Sequence, residues 1–471
     1  MSRLRTRITR SVVAALAVGG LAVATLPIGG AGASVPDQAS GAKCPLSALD
    51  KADGTVEITM WHSMTRANEA TLQALADEFN SSQDKVRVSL VAFPDYPDTL
   101  EKYVAGLSTG DLPDLVQIGD GDTQHMIDTQ SVLPAQACVK ADDYDLSGHL
   151  ERVVDYYTIE KTLWPMPFNA SGPVLYYDQN AFSAAGLDPD SPPTTLDEVK
   201  ADSKKIVDAG VAPAGYGLKL EPGYLEQWLA KAGKQYVNNG NGRQSRASET
   251  VFDVKQGRDI YTWMAEMVDE GLAVTNPDLG GSSFDNLIGI GNGTNVMTTE
   301  TSASLGTITE VLESGAYPDV KLGVAPMPGP SGKGGVVVDG AALWIGKESP
   351  REKQAAAWEF AKFLNTTKSQ TTWAAGTGYL PIVTAAADSP EVQALWARIP
   401  GYKVAYDQLL TGANNLATAG PIIGDYAGVQ AAVRESWQRM FAEGTDPKAA
   451  IKAAAEDADS AIQEYNSRVG A

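Results

Sequence analysis

Three histidines and two cysteines are all that this chain of 471 residues offers to a transition metal or a thiol nucleophile. His62, His125 and His149 stand far apart, outside any His-Glu-x-x-His or His-rich tract, so the common metal-ligand spacings are missing. There is no Gly-x-Ser-x-Gly elbow and no Gly-x-x-x-x-Gly-Lys-Ser/Thr phosphate loop, which removes the usual signatures of a serine hydrolase and a P-loop nucleotidase. No resident cofactor is expected. Basic residues are in deficit, 37 against 58 acids, for a formal charge of −21. A surface so acidic repels nucleic acid and anionic membranes and favours solubility. Past residue 30 no run of about 20 apolar residues occurs that would span a bilayer. Acids are plentiful enough to leave a catalytic carboxylate pair open as an alternative. Asp120 with Asp122, and Asp142-Asp143-Asp145, lack the regular spacing of a calcium loop.

What is present begins with an export signal. Arg3, Arg5, Arg7 and Arg10 precede an uncharged, mostly apolar run from Ser11 to about Gly30, closed by Ala31-Gly32-Ala33. That is the layout of a secretory signal peptide cut after Ala33. Its loss removes four arginines and no acid, so the mature chain is more acidic still. Cys44 follows Lys43 rather than a small residue, a poor context for lipid anchoring. Outside the cytoplasm the two cysteines, Cys44 and Cys138, are expected to form a disulfide.

Residues 34–54, small and polar, read as a flexible leader. Val56–Met60 then alternates apolar and polar as a strand does, and Leu72, Leu75, Ala76 and Phe79 fall at helical spacing. Val86–Val91 and Asp114–Ile118 are further strands, with a helix near Thr99–Ser108 between them. Strand and helix in alternation predict an α/β fold with parallel-rich sheets flanked by helices. The same logic gives strands at Gly172–Tyr177, Asn295–Thr298, Val320–Val324 and Ala341–Ile345. It gives helices at Thr195–Ala209, Gly223–Ala232 and Val254–Gly271. Ser349, Pro350 and Glu352 predict a helix start with a capping box, and Asp446-Pro447 opens a C-terminal helix.

Polar and aromatic residues gather where the predicted strands end: Trp61-His62-Ser63, Asp120, Asn169 to Ser171, Thr298 to Ser304, and Gly378-Tyr379. In open parallel sheets the ligand crevice lies at those carboxyl ends. Hydroxyls, amides and a carboxylate match the hydroxyls of a polyol, and aromatic faces pack on its C–H surface.

The order of several short segments resembles the extracellular solute-binding proteins of bacterial ABC importers, the group that includes maltose-binding protein. The segments are Trp61-His62-Ser63-Met64, Pro167–Ser171 with Pro173–Tyr177, Ala185–Pro189, Met297-Thr298-Thr299, Gly340–Trp344 and Thr377–Pro381. They run from about Val56 to the C-terminus, and they are most similar to the glycerol-3-phosphate-binding and glycerophosphodiester-binding branch. The resemblance implies a two-lobed periplasmic-binding-protein fold of type II. Residues 55–165 with 328–376 form one lobe and 168–325 with 382–471 the other. The hinge lies near 164–171, 325–330 and 377–381. It implies capture of a small polar solute by a monomer, and delivery to permease subunits driven by a cytoplasmic ATPase.

The ligand positions carried over by resemblance are Tyr96, Asp120, Ser171, Thr301 with neighbouring Ser302, Gly340 and Tyr379; Trp61 and Asn169 join them by position. Two positions depart from the pattern. Ile422 stands where the branch carries a phosphate-gripping arginine, and Leu220 where it carries a pocket tryptophan. An isoleucine offers no charged fork to phosphate. The reading therefore favours a neutral sugar or oligosaccharide over a glycerophosphodiester, with Lys219 the nearest residue that would restore phosphate binding. Two alternatives remain. A secreted glycoside hydrolase would need a second carboxylate facing Asp120. A surface adhesion protein would bind no small solute.

Overall fold

The computed structural model describes residues 41–277 and 284–470. The expected signal peptide and cleavage site, and residues 34–40 of the leader, lie outside the described residues. Among the described residues no helix is long and apolar enough to cross a membrane.

Two mixed sheets form the frame. The first contains β1 (Val56–His62), β2 (Val86–Ala92), β3 (Leu115–Gly119), β4 (Val132–Leu133), β7 (Met166–Ser171) and β13 (Asp339–Gly346). Residues 158–163 add a short hairpin, β5 (Thr158–Ile159) with β6 (Thr162–Leu163). The second sheet contains β8 (Pro173–Asp178), β9 (Tyr216–Leu220), β10 (Ala273–Pro277), β11 (Met297–Thr301) and β12 (Leu322–Pro326). In the first, β1 runs parallel to β2 and β3, as helical crossovers require. Strand β13 runs antiparallel to β3, β4 and β7 because it enters from the opposite side. In the second, β9 is parallel to β10 and β11, while β8 is antiparallel to β11 and β12. The chain passes from one sheet to the other at Gly172, between β7 and β8, and again between β12 and β13.

Each sheet is buried under helices. Leu72, Leu75, Ala76 and Phe79, one face of the Arg66–Ser82 helix, close over β1 and β2 with Val56, Ile58, Val86 and Val88. The second core joins Leu175, Leu218 and Met297 to Trp228, Met264, Trp437 and Ile462. Burying a large apolar side chain stabilises by about 1.5–3 kcal/mol, so these two cores account for the rigidity of each sheet.

Several local expectations are met by their physical cause. Asp446 accepts hydrogen bonds from the amides of Lys448 and Ala449, and Pro447 occupies the first turn of the Pro447–Val469 helix. Thr195 and Glu198 make a reciprocal capping box at the start of the Leu196–Asp208 helix. The capping box expected at Ser349 is not formed. The Arg351–Leu364 helix starts at Pro350 without a side-chain cap. Ser349 instead donates to Asp114 Oδ1 at 2.9 Å, and Lys353 bridges to the same carboxylate at 3.2 Å. A buried acid competes for the hydroxyl more strongly than a backbone amide does. The segment read as a flexible leader contains a helix, Leu46–Lys51, packed on the Arg351–Leu364 helix. Cys44 and Cys138 are joined in a disulfide, which pins that helix to the first sheet's core.

Candidate functional site

Tyr96, Asp120, Asn169, Ser171, Thr301, Gly340 and Tyr379, among the expected site residues, come together where the ends of the two sheets meet. Ser171 closes β7 and Thr301 closes β11; the Thr301 hydroxyl donates to Ser171 Oγ at 3.1 Å, joining one sheet to the other. Ser171 in turn donates to Asp339 Oδ2 at 3.1 Å. Asp120 follows β3, and its Oδ1 accepts from the Gly340 amide at 3.3 Å. Its Oδ2 accepts from the Tyr156 hydroxyl at 3.0 Å. Gly340 has φ +130, and a Cβ there would collide with the Asn169 carbonyl, so this approach of β13 to β7 requires glycine.

A second chain of hydrogen bonds orients the aromatic side. Gln117 accepts from the Ser63 amide at 3.1 Å and donates to Asn169 Oδ1 at 2.7 Å. Asn169 then donates to the Tyr96 hydroxyl at 3.0 Å, and Tyr96 and Tyr379 share a 3.3 Å hydroxyl contact. Tyr96 opens the Tyr96–Thr109 helix, capped by Asp95. Gln117, Asn169 and Tyr379 are buried and Tyr96 is partly so, and the tyrosines are held by a network as well as by packing.

Other expected residues serve different ends. His62 is buried, accepts from the Met64 amide through Nδ1 at 3.2 Å, and burial lowers its pKa to about 4, so it is a neutral structural ring. Trp61 and Ile422 belong to one apolar cluster with Ile118, Ile159 and Trp344. Ile422 is 2% exposed, so the position where the resemblance expects an arginine is packed shut. Leu220 ends β9 within the second core. Ser302 Oγ accepts from the Gly172 amide at 3.4 Å, at the sheet crossing.

Lys219 is not available to an anion. Its ammonium lies 2.9 Å from Glu300 and 3.4 Å from Glu221. Sequence reading missed the site's other charges. Arg243 donates to the carbonyls of Gly420, Ala419 and Tyr156 and lies over the Tyr156 ring at 4.9 Å. Glu226 accepts from the Tyr426 hydroxyl at 2.9 Å. Asp339 is the acid beside Asp120 that the sequence did not supply. Two local signals pointed to these acids. Asp339 ends the apolar run Val336-Val337-Val338, and Glu226 interrupts the buried helix Gly223–Lys231. For Arg243 there was none, since its partners lie 87 to 177 residues away.

The cluster's electrostatics follow from burial. Desolvation raises Asp120 well above the ordinary carboxylate range, and the charges of Asp339 and Glu226 add to it. Burial raises Asp339 too. Glu226 is pushed to about 8 by burial, with Asp339 reinforcing and Tyr426 and Arg243 opposing. Desolvation, with the nearby Asp425 charge, takes Asp122 to about 7. Buried carboxyls held protonated can donate as well as accept, which suits recognition of hydroxyls. A separate groove of about 690 Å³ on the outside of the first sheet's helices, lined by Phe79, Tyr144, His149 and Lys362, contains none of the expected site residues.

Comparison with known proteins gives one consistent answer. Residues 74–400 match the family described as bacterial extracellular solute-binding protein. The sn-glycerol-3-phosphate-binding periplasmic protein UgpB of Yersinia pestis is 29% identical over 407 residues, 84% of this chain and 90% of that protein. The cyclic alpha-maltosyl-1,6-maltose binding protein of Arthrobacter globiformis has a similar fold, with TM-score 0.68 and 23% identity, over 87% of this chain and 100% of that one. UgpB of Mycobacterium tuberculosis in complex with glycerophosphocholine superposes with TM-score 0.72 at 19% identity, over 88% and 99%.

Proposed function

The chain belongs to the bacterial extracellular solute-binding proteins, and we propose that its solute is a small polyol without a phosphate, a sugar or oligosaccharide. As a substrate-binding protein of an ABC importer it captures a small polar solute outside the membrane and works with permease components. The observation that supports a non-anionic solute is the engagement of the cations. Lys219 acts on Asp339 and Arg243 on Glu226. The first is paired with Glu300 and Glu221, the second with three backbone carbonyls. A phosphate entering here would meet Asp120, Asp339 and Glu226, with Ile422 where a guanidinium would be needed. The curated UgpB relatives are named for a phosphate ligand, so the phosphate reading is the one to test against.

In this reading Asp120, Ser171, Thr301, Gly340 and Tyr379 contact the solute, with Tyr96 and Asn169 positioned behind them. The lobes carried by the two sheets close on it by bending near 164–171, 325–330 and 377–381. The protein acts as a monomer, is freed from its leader after Ala33, and delivers to a permease driven by a cytoplasmic ATPase. Isothermal calorimetry with neutral mono- and oligosaccharides, glycerol-3-phosphate and glycerophosphocholine tests the ligand class. Tight binding confined to neutral sugars is expected. Tight binding of glycerol-3-phosphate would overturn the ligand class while leaving the transport role.

A further inference from the structure

The site holds more carboxyl groups than it has cations to pair them. Asp120, Glu226, Glu300 and Asp339 face one another through their fields, against Lys219 and Arg243. Glu300 and Lys219 neutralise each other at 2.9 Å, both side chains 3% exposed. Arg243 spends its donors on backbone carbonyls. Among the described residues the hydrogen bonds to Asp120, Asp339 and Glu226 come from hydroxyls and an amide, those of Tyr156, Ser171, Tyr426 and Gly340, with Lys219 and Arg243 acting on Asp339 and Glu226 only through their fields. Buried carboxylates without a counterion are costly unless they take up protons or meet a cation.

An independent observation concerns Tyr157. It is 2% exposed, yet its hydroxyl has no hydrogen-bond partner among the described residues. Its ring packs edge-on against Tyr156, the donor to Asp120, with centroids 5.0 Å apart. The charges of Asp120, Asp339 and Tyr379 all reach its phenol. A buried phenol left unpaired within the fields of two carboxyls is a group that calls for a partner. The hydroxyls of Tyr96 and Tyr379 lie 3.3 Å apart, and the Tyr156 hydroxyl donates to Asp120, so phenol oxygens as well as carboxyls line this region.

We propose that the solute is a polyol bearing a protonated nitrogen, an amino sugar or its oligomer, whose ammonium sits among Asp120, Asp339 and Glu226 and hydrogen-bonds the Tyr157 hydroxyl. This rests on the reading of the site as a polyol receptor and narrows it. Hydroxyls of the ligand engage Ser171, Thr301 and Tyr379, while the nitrogen supplies the positive charge that these carboxyls lack. The acids then select the amine over the corresponding neutral sugar by a difference in affinity rather than by shape.

The test pairs ligands that differ in the charge and its acetyl cap. Oligomers of glucosamine and the same oligomers fully N-acetylated are titrated calorimetrically into the purified protein, at a pH where the free amine is protonated. The amine form is expected to bind at least about tenfold more tightly. In Asp339→Asn that ratio should fall to near one. If Asp339→Asn fails to fold, Tyr157→Phe serves instead, since its hydroxyl contributes no hydrogen bond to the fold. It should weaken the amine form several-fold and the acetylated form less. Equal affinity for both forms, or preference for the acetylated one, overturns the inference and leaves the polyol reading standing. Binding of glycerol-3-phosphate with no binding of either sugar overturns both.

Discussion

Asp120 and Asp339 flank a single backbone amide: Gly340 N–H donates to Asp120 while Asp339, one residue earlier, accepts from Ser171. Asp339 opens β13 and Asp120 directly follows the neighbouring strand β3, whose Gly119 pairs with Ala341. They are therefore presented side by side, on the sheet that also carries Ser171 and Asn169.

That arrangement makes Gly340 sensitive. Its φ of +130 disfavours any L side chain, and a Cβ would strike the Asn169 carbonyl. Gly340→Ala is expected to cost about 2–3 kcal/mol in stability and to weaken solute binding, as read by urea denaturation and calorimetry. An unchanged denaturation midpoint would show that the strand crossing is less tight than described.

Stability should fall as pH rises. The folded-state pKa of Glu226 is raised to about 8 by burial. Below the ordinary carboxylate range both states hold the proton and no penalty exists. Between that range and about 8 the unfolded chain releases its proton first, so unfolding becomes easier with each step in pH. The groups that face Glu226 are Tyr426, Asp339, Arg243, Asp120, Tyr156 and Tyr236. One such group changes stability by up to about 1.4 kcal/mol per pH unit. Thermal melts across this window should show a decline that Glu226→Gln reduces. An identical pH profile for wild type and variant would contradict the assignment.

Arg246 and Asp128 form a fork between the two halves. Nη2 lies 2.5 Å and Nη1 3.1 Å from the carboxylate, while Nε donates to Asn466 at 2.6 Å. Asp128 ends the helix Thr123–Asp128 beside the first sheet, and Asn466 belongs to the Pro447–Val469 helix of the second core. If the lobes close on the solute, this pair favours the closed form. Asp128→Asn is expected to weaken solute affinity by about tenfold or less, roughly 1 kcal/mol. Small-angle scattering should show a larger radius for the variant than for wild type at subsaturating solute. No change in either quantity would remove the pair from the closing mechanism.

The disulfide closes a loop of 94 residues. Replacing Cys44 and Cys138 together with alanine should lower stability by about 2–5 kcal/mol and loosen the Leu46–Lys51 helix, measured by denaturation and by faster amide exchange there. Solute binding should persist, because neither cysteine takes part in the hydrogen bonds that hold Asp120, Asp339 and Glu226.

What the sequence discloses here is local or periodic. The Pro447–Val469 helix is legible because its cap and proline are adjacent, and the strands because their alternation is short-range. Asp120, Ser171 and Tyr379 stood out as polar or aromatic residues at the ends of expected strands, while Tyr96 was legible only through the order of short segments. The failed cap at Ser349 shows the limit: the local pattern was right, but Asp114, 235 residues away, took the hydroxyl. Arg243 escaped for the same reason, and the local signals at Glu226 and Asp339 did not disclose what those acids would meet. Asp339 meets Ser171 across 168 residues and Arg243 meets Ala419 across 176. Such meetings are products of the fold, and no periodicity announces them.

A crystal structure of the protein with its tightest-binding solute tests the central claim most directly. The account predicts a polyol between the two sheets, its hydroxyls or ammonium on Asp120, Asp339, Ser171 and Tyr379, with Lys219 still on Glu300. A phosphate gripped by Lys219 or Arg243, released from their present partners, would contradict it.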